Sequence, residues 1–341
     1  MITAPASTGP VYEHLYRMTD ARGLFEHARY AEPRPEHGYC LDDAARALVV
    51  SCREPAPEPA LQALTEHYLA FTLSAVQPDG SCHNRMGIDG RWSDEPGWGD
   101  WWGRAVWGLG VAATCAPDPA LRHEALQGFR RAAAGRSPHP RAMAFAALGA
   151  GELLQSNPGE VRAAVLLADA VIAVGELGSV PGWPWPWPRL TYASGAIVEA
   201  LLLAGTALPE PAALASGLSL LDFLLDAETY RGHVSATPVG GRGPGEWLPA
   251  FDQQPIEVAA LADACARAFE LTGDPRWRNG VRTAWAWFLG DNDRSVAMFD
   301  PRTGAGYDGL TAEGRNLNQG AESTLAMLST AQHARRLGVW A

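Results

Sequence analysis

Two adjacent carboxylates, Asp42 and Asp43, follow a loop carrying His37 and Tyr39 and open an apolar run from Ala44 to Val50. Similar junctions recur down the chain. The stretch SDEPGWGDWWGRAVWGLG, from Ser93, sets Asp100 and Arg104 among Trp98, Trp101 and Trp102. HPRAMAFAALG offers His139 and Arg141, and GWPWPWPRLTYASGA, from Gly182, offers Trp183, Trp185, Trp187 and Tyr192. EWLPAFDQQPIEVAAL, from Glu246, carries Asp252, Gln253, Gln254 and Glu257, and NLNQGAESTLAML, from Asn316, carries Asn318, Gln319 and Glu322.

Carboxylates, side-chain amides, arginines and indoles gathered on one face suit a sugar. Hydroxyls take polar partners two at a time, and the C–H faces of a pyranose stack on aromatic rings. Cleaving a glycosidic bond needs a protonated acid on one side and a carboxylate on the other. Asp43 and Glu322 are the first candidates for that pair, followed by Asp42, Asp100, Asp252 and Glu257. Candidates for sugar binding are His37, Tyr39, Arg46, Trp98, Trp101, Trp102, Arg104, Arg141, Trp183, Trp185, Tyr192, Gln253, Gln254, Asn318 and Gln319. Structural roles compete with these. Asp42 and Asp43 suit a helix start, tryptophan in a helical ring is usually core, and His37 suits a hydrogen-bonded loop. Glu199 reads as half of a structural ion pair. No spacing demands a metal, since DDAAR puts Arg46 where a third acid would stand. No Gly-rich phosphate loop precedes a helix, which argues against nucleotide-sugar transfer by this chain alone, and no cofactor is expected.

The elements that must position these residues are helices, for helical periodicity dominates. Amphipathic candidates cover about 12–29, 59–75, 119–134, 160–176, 211–228 and 275–290; apolar candidates cover about 42–53, 102–115, 140–155, 193–206, 255–271 and 320–336. Short links bearing proline (EPAPEP, APDP, SNPG, ALPEP, TGDP) follow the first five apolar helices, and longer loops rich in Gly, Trp and Asp follow most amphipathic ones. Proline beside an acidic residue marks a helix start. Short links at one end and long loops at the other imply antiparallel hairpins side by side. Six of them close into an (α/α)6 barrel, one domain over residues 1–341, with the apolar helices inside and their N-termini at one rim. The unequal loops argue against an open solenoid.

Composition narrows the function further. The 341 residues carry a net charge of -11, and all 27 basic residues are arginine. An acidic chain without a basic block is poorly suited to nucleic acid. The start, MITAPASTGPVYEH, lacks the basic and apolar regions of a signal peptide, and no apolar run reaches the roughly 20 residues that span a bilayer. The five cysteines fit no zinc spacing. A soluble cytoplasmic protein with free thiols and no membrane partner is expected.

At these residues the chain resembles a family of six-hairpin, glycosidase-like (α/α)6 proteins often fused to or encoded beside glycosyltransferases. GLFEHARY near Gly23, HGYCLDDAARAL, GRAVW at Gly103, FDQQPIE at Phe251, WFLGDND at Trp287 and NQGAEST at Asn318 carry the resemblance. It implies the barrel, a carbohydrate context and a glycosyltransferase partner. The matching positions are Asp42, Asp43, Arg46, Asp100, Arg104, Asp252, Gln253, Gln254, Glu257, Asn318, Gln319 and Glu322. The chain departs from the pattern at Ala44, at Trp101 and Trp102, and at Ala193 and Ser194, where the family carries polar groups. The expectation is a glycoside hydrolase acting on an oligosaccharide. A non-catalytic glycan-binding module and a sugar epimerase on the same barrel are the alternatives.

Overall fold

The structure, a computed structural model, describes residues 9–340. Twelve helices account for most of it: α1 (Glu13–Arg17), α2 (Leu41–Arg53), α3 (Pro59–Ala75), α4 (Asp100–Cys115), α5 (Pro119–Ala132), α6 (Pro140–Ser156), α7 (Val161–Val174), α8 (Ser194–Ala207), α9 (Pro211–Ala227), α10 (Pro255–Thr272), α11 (Pro275–Leu289) and α12 (Ala321–Arg336). Local signals set many of the ends. Proline opens α3, α5, α6, α9, α10 and α11, at a position whose N–H has no helical partner. The Asp118 and Asp274 side chains cap α5 and α11, accepting from Ala120 N and Arg276 N. Gly273 and Gly290 end α10 and α11 in the left-handed conformation.

The even-numbered helices form a closed inner ring. α2 packs on α4, α4 on α6, α6 on α8, α8 on α10, α10 on α12, and α12 returns to α2. Each of α3, α5, α7, α9 and α11 packs outside the inner helix before it. The inner helices are buried on nearly every side, and α8 is apolar almost all round, whereas outer ones such as α5 bury a stripe of Ala125, Gly128, Phe129 and Ala132. The fold is the expected (α/α)6 barrel. One element differs. The amphipathic segment 12–29 holds only the five-residue α1, against α12. After it the chain turns at Asp20–Gly23, where Asp20 Oδ1 accepts from Arg22 N and Gly23 N, and runs into a short hairpin of Ala28–Arg29 with Glu32–Pro33. These side-chain bonds compete with helix continuation.

Two kinds of connection give the barrel two different ends. Links of a few residues join each inner helix to its outer partner. Loops 76–99, 175–193, 228–254 and 290–320 cover the end where the inner helices begin. These loops brace one another by short pairings, such as Tyr39–Cys40 with Arg85–Met86 and Gln253 with Leu310.

Within the ring, α4 and α6 touch backbone to backbone. A Cβ on Gly149 would stand 2.2 Å from Val106 O, and one on Gly110 2.3 Å from Gly149 O. Overpacking of this kind costs roughly 1–3 kcal/mol. Gly149→Ala should therefore lower the urea midpoint by at least that equivalent, because the nearest atoms are backbone and cannot swing aside. An unchanged midpoint would show that the two helices can separate freely.

Candidate active site

A cavity of about 560 Å³ opens beneath the long loops, at the N-terminal ends of the inner helices. Asp42, Asp43 and Arg46 enter it from the start of α2, Asp100 from α4, Tyr192 from the loop before α8, and Glu322 from the first turn of α12. Asp252, Gln254 and Trp101 complete the expected residues that line it. Helix N-termini carry partial positive charge, which favours carboxylates in a first turn. The ring thus collects acids at the rim where its helices begin.

The centre is a closed loop of charges. Arg46 Nη2 donates to Asp42 Oδ2 at 2.5 Å, and Arg46 Nη1 to Glu322 Oε2 at 2.7 Å. Tyr192 donates its hydroxyl proton to the same Glu322 oxygen at 2.7 Å and accepts from Arg104 Nη2 at 2.8 Å. Arg104 Nε lies 2.9 Å from Asp42 Oδ1, which returns the circuit to its start. Asp43 joins from the side: its Oδ1 is 2.9 Å from Arg46 Nη2, and its Oδ2 accepts from the Cys40 thiol at 3.1 Å. Cys40 Sγ also caps α2 by accepting from Asp43 N, so neither aspartate is the helix cap. Four segments far apart in sequence meet here.

The two neighbouring aspartates differ in proton affinity. Burial pushes Asp43 up to about 7; Arg46 pulls the other way, while Asp42, Glu322 and Glu26 add to the rise. Burial would raise Asp42 as well, but Arg104 and Arg46 outweigh it and hold that carboxyl below its ordinary range. Asp100 is raised, by burial before Arg104 offsets it. Tyr192 is held protonated by burial and stays a donor.

Glu26, Cys40 and Asp43 bring possible ligand atoms within 4.8 Å of one another. They do not suit a cation. Arg85 already pairs with Glu26, Arg46 with Asp43, and burial keeps the Cys40 thiol protonated as a donor to Asp43.

Other expected residues lie elsewhere. Trp102, Trp183 and Trp185 are core, at most 2% exposed, and Trp98 stacks edge-on against Trp102. Indoles are large enough that burial outweighed any role at the surface. His37 is exposed outside the cavity, edge-on to His27, and buried Tyr39 donates to Asp20 Oδ2. Gln253 is buried and donates to Asp293 Oδ2 at 2.7 Å. Both oxygens of buried Glu257 sit 2.9 Å from Ala193 N, where the backbone turns left-handed ahead of α8. Asn318 Oδ1 accepts from Tyr30 N, Gln319 lends its backbone oxygen to His14, and Arg141 donates to Thr191 beside the Tyr192 ring. Arg104 lies behind the lining, acting through Asp42 and Tyr192.

The cavity also gains groups not singled out from the sequence, among them Glu26, Asn84, Arg85 and Asp308. Glu26 stood inside the GLFEHARY motif, and that was the available signal. Asp308 lies in a loop and reaches the site by accepting from Gly320 N and Ser323 Oγ at the start of α12.

Comparison with solved structures agrees with this architecture. A sugar epimerase from a ruminal bacterium shares 13% identity over 95% of this chain and 94% of its own, with a TM-score of 0.66. A cellobiose 2-epimerase from Spirochaeta thermophila shares 13% over 94% and 93%, at 0.65. An inactive variant of a Salegentibacter α-1,6-mannanase, with two consecutive aspartates changed to alanine and α-1,6-mannotetrose bound, shares 11% over 95% and 96%, at 0.63. The chain has the fold of the (α/α)6 glycosidase-like enzymes. No family sequence model and no curated protein sequence matches it.

Removing the cation at the centre should expose what it holds. Arg46→Gln leaves Asp42, Asp43 and Glu322 facing one another without it. Breaking a buried pair in this way costs roughly 3–5 kcal/mol. Arg46 lowers the proton affinity of Asp42 and Asp43; without it they bind protons more tightly in the folded state, so the variant's deficit should shrink as pH falls from 7.5 to 5. Urea unfolding at the two pH values measures this; an equal deficit at both would contradict it.

Proposed function

We propose that the protein is a glycoside hydrolase acting on an oligosaccharide, with Asp43 as general acid and Glu322 as the opposing carboxylate. One observation carries this reading: consecutive aspartates in one helical turn face one cavity, and their surroundings shift their proton affinities in opposite directions. Environments that separate the proton affinities of neighbouring carboxyls are how acid and base roles are divided at neutral pH. Asp43, held near 7 by burial, keeps a proton to give to the glycosidic oxygen. The Glu322 side chain is 31% exposed and can meet the anomeric carbon or a water. Asp42, gripped by two guanidiniums, fixes Arg46 and Arg104 in place. Asp43 and Glu322 both flank the Arg46 guanidinium; a carboxyl separation of about 5–5.5 Å would favour retention and about 6.5–9.5 Å inversion.

Trp101 is the sugar platform in this reading. It lines the cavity half-buried, and its indole N–H is fixed on Cys82 O at 2.8 Å. Gln254, Asp252 and Asn84 take hydroxyls. The mannanase neighbour supports the assignment, since replacing two consecutive aspartates there gives an inactive protein. All five cysteines are unpaired and four are buried, which suits a reducing cytoplasm, and no described helix is long and apolar enough to cross a membrane. A glycosyltransferase is the partner class implied by the sequence resemblance.

An epimerase is the second reading, favoured by the names of two structural neighbours. It asks for histidine as acid and base. Here His27 is the histidine among the lining residues, with His37 at 5.0 Å between ring centroids.

Incubation with a panel of oligosaccharides tests the choice. Release of shorter sugars supports hydrolysis. A product of unchanged mass and altered configuration supports epimerisation, and saturable binding without turnover supports a glycan-binding module. With a hydrolysed substrate, Asp43→Asn and Glu322→Gln should each lower kcat by about 10²–10⁴-fold. The acid must be protonated, so kcat should fall as pH rises through about 7. A rate that climbs through this range would remove Asp43 from that role.

A further inference from the structure

The other mouth of the barrel is not closed. A cavity of about 1020 Å³ opens where the inner helices end, lined from all six of them. Five carboxylates line it (Glu54, Glu152, Glu199, Asp263, Glu270) against four guanidiniums (Arg53, Arg267, Arg335, Arg336). His333 pairs with Asp263, its Nε2 2.5 Å from Oδ1, and its Nδ1 lies 3.0 Å from Arg336 Nη2. The carbonyl ends of six helices point the same way and add negative potential.

One carboxylate is served less well than the others. Arg335 serves Glu54, Arg53 serves Asp263, and Arg336 serves Glu270. Arg267 is divided among Glu152, Glu270 and Glu199, and its contact with Glu199 Oε1 is stretched to 3.4 Å. The other oxygen, Oε2, has no hydrogen-bond partner, although Glu199 is 2% exposed. Gln332, 8% exposed, lines the same cavity and leaves its Oε1 without a donor while both protons of its amide are used, on Tyr12 and Val50. A buried acceptor left unmet costs roughly 1–3 kcal/mol, and here two lie in one cavity. Beside them Leu154, Leu203 and Leu271 give an apolar wall.

We propose that this mouth is a second binding site, separate from the sugar cavity, for a small organic cation: a primary ammonium on an aliphatic chain, its N–H groups on Glu199 and its carbons on the leucine wall. Burial raises the proton affinity of Glu199, which fits a carboxylate short of one positive neighbour. The structural ion pair expected of Glu199 exists, with Arg267 as its partner, and it under-serves the acid.

Calorimetric titration of the full chain in 150 mM NaCl tests the site, with 1,5-diaminopentane as probe and 1,5-pentanediol as the uncharged control. The diamine should bind saturably and the diol at least tenfold more weakly. Glu199→Gln keeps the shape and removes the charge, and should weaken the diamine at least tenfold. Thr206→Trp narrows the mouth from an exposed lining position and should do the same, so the answer survives if Glu199→Gln fails to fold. No saturable heat, equal binding of the diol, or binding unchanged by Thr206→Trp would overturn the proposal. So would loss of binding in Glu322→Gln with Glu199→Gln unaffected, which would place the diamine in the sugar cavity. None of these readouts depends on sugar turnover.

Discussion

One guanidinium, that of Arg46, ties the two ends of the ring together. It sits on α2, the first inner helix, and holds Glu322 on α12, the last. The same group neutralises Asp42 and Asp43, which would otherwise repel each other in a low-dielectric interior. Three acids can share one cation only if it is itself well placed. Asp42 Oδ2 fixes it from α2, and Arg104 and Tyr192 complete the circuit from α4 and the loop before α8. Closing the barrel and assembling the acids are therefore the same event. Further bonds along the seam, from Gln332 Nε2 to Val50 O and from Arg53 to Ser329, hold α2 against α12 toward the opposite mouth.

The architecture turns a simple asymmetry into chemistry. Every inner helix runs the same way, so one end of the ring gathers N–H groups and the other carbonyl groups. Carboxylates are stabilised at the first end and cations at the second. The cavity beneath the long loops obeys this rule, with acids in the first turns of α2, α4 and α12. The far mouth strains against it, because it too is rich in acids, which four arginines and His333 serve unequally. The unmet oxygen of Glu199 is what remains.

Much of this was legible in the residues. Eleven of the twelve helices fall close to the ranges read from periodicity, because proline, aspartate and glycine punctuate their ends. The exception, 12–29, had the right pattern of apolar residues, but local side-chain bonds at Asp20 stopped the helix early. Site residues on helices were easier to read than those on loops. Asp42, Asp43, Arg46 and Glu322 have positions fixed by a helical turn. In FDQQPIE, by contrast, Asp252 and Gln254 line the cavity while Gln253 turns inward to Asp293, and spacing alone does not say which way a loop side chain points; Glu257, in the first turn of α10, is drawn to Ala193 N by the left-handed turn before α8. WPWPWP excluded a helix through its prolines, yet that left burial of Trp183 and Trp185 undetermined. Glu26 and Asp308 reach the cavity only through tertiary contacts.

The division of labour between Asp42 and Asp43 is the claim on which the catalytic account rests. Its most direct measurement is a titration of the side-chain carboxyl ¹³C shifts of the two residues by NMR, with Asp43→Asn for assignment. The account predicts that Asp43 titrates near 7 while Asp42 stays ionised to below the ordinary aspartate range. Two carboxyls titrating together near 4, the usual aspartate value, would contradict it.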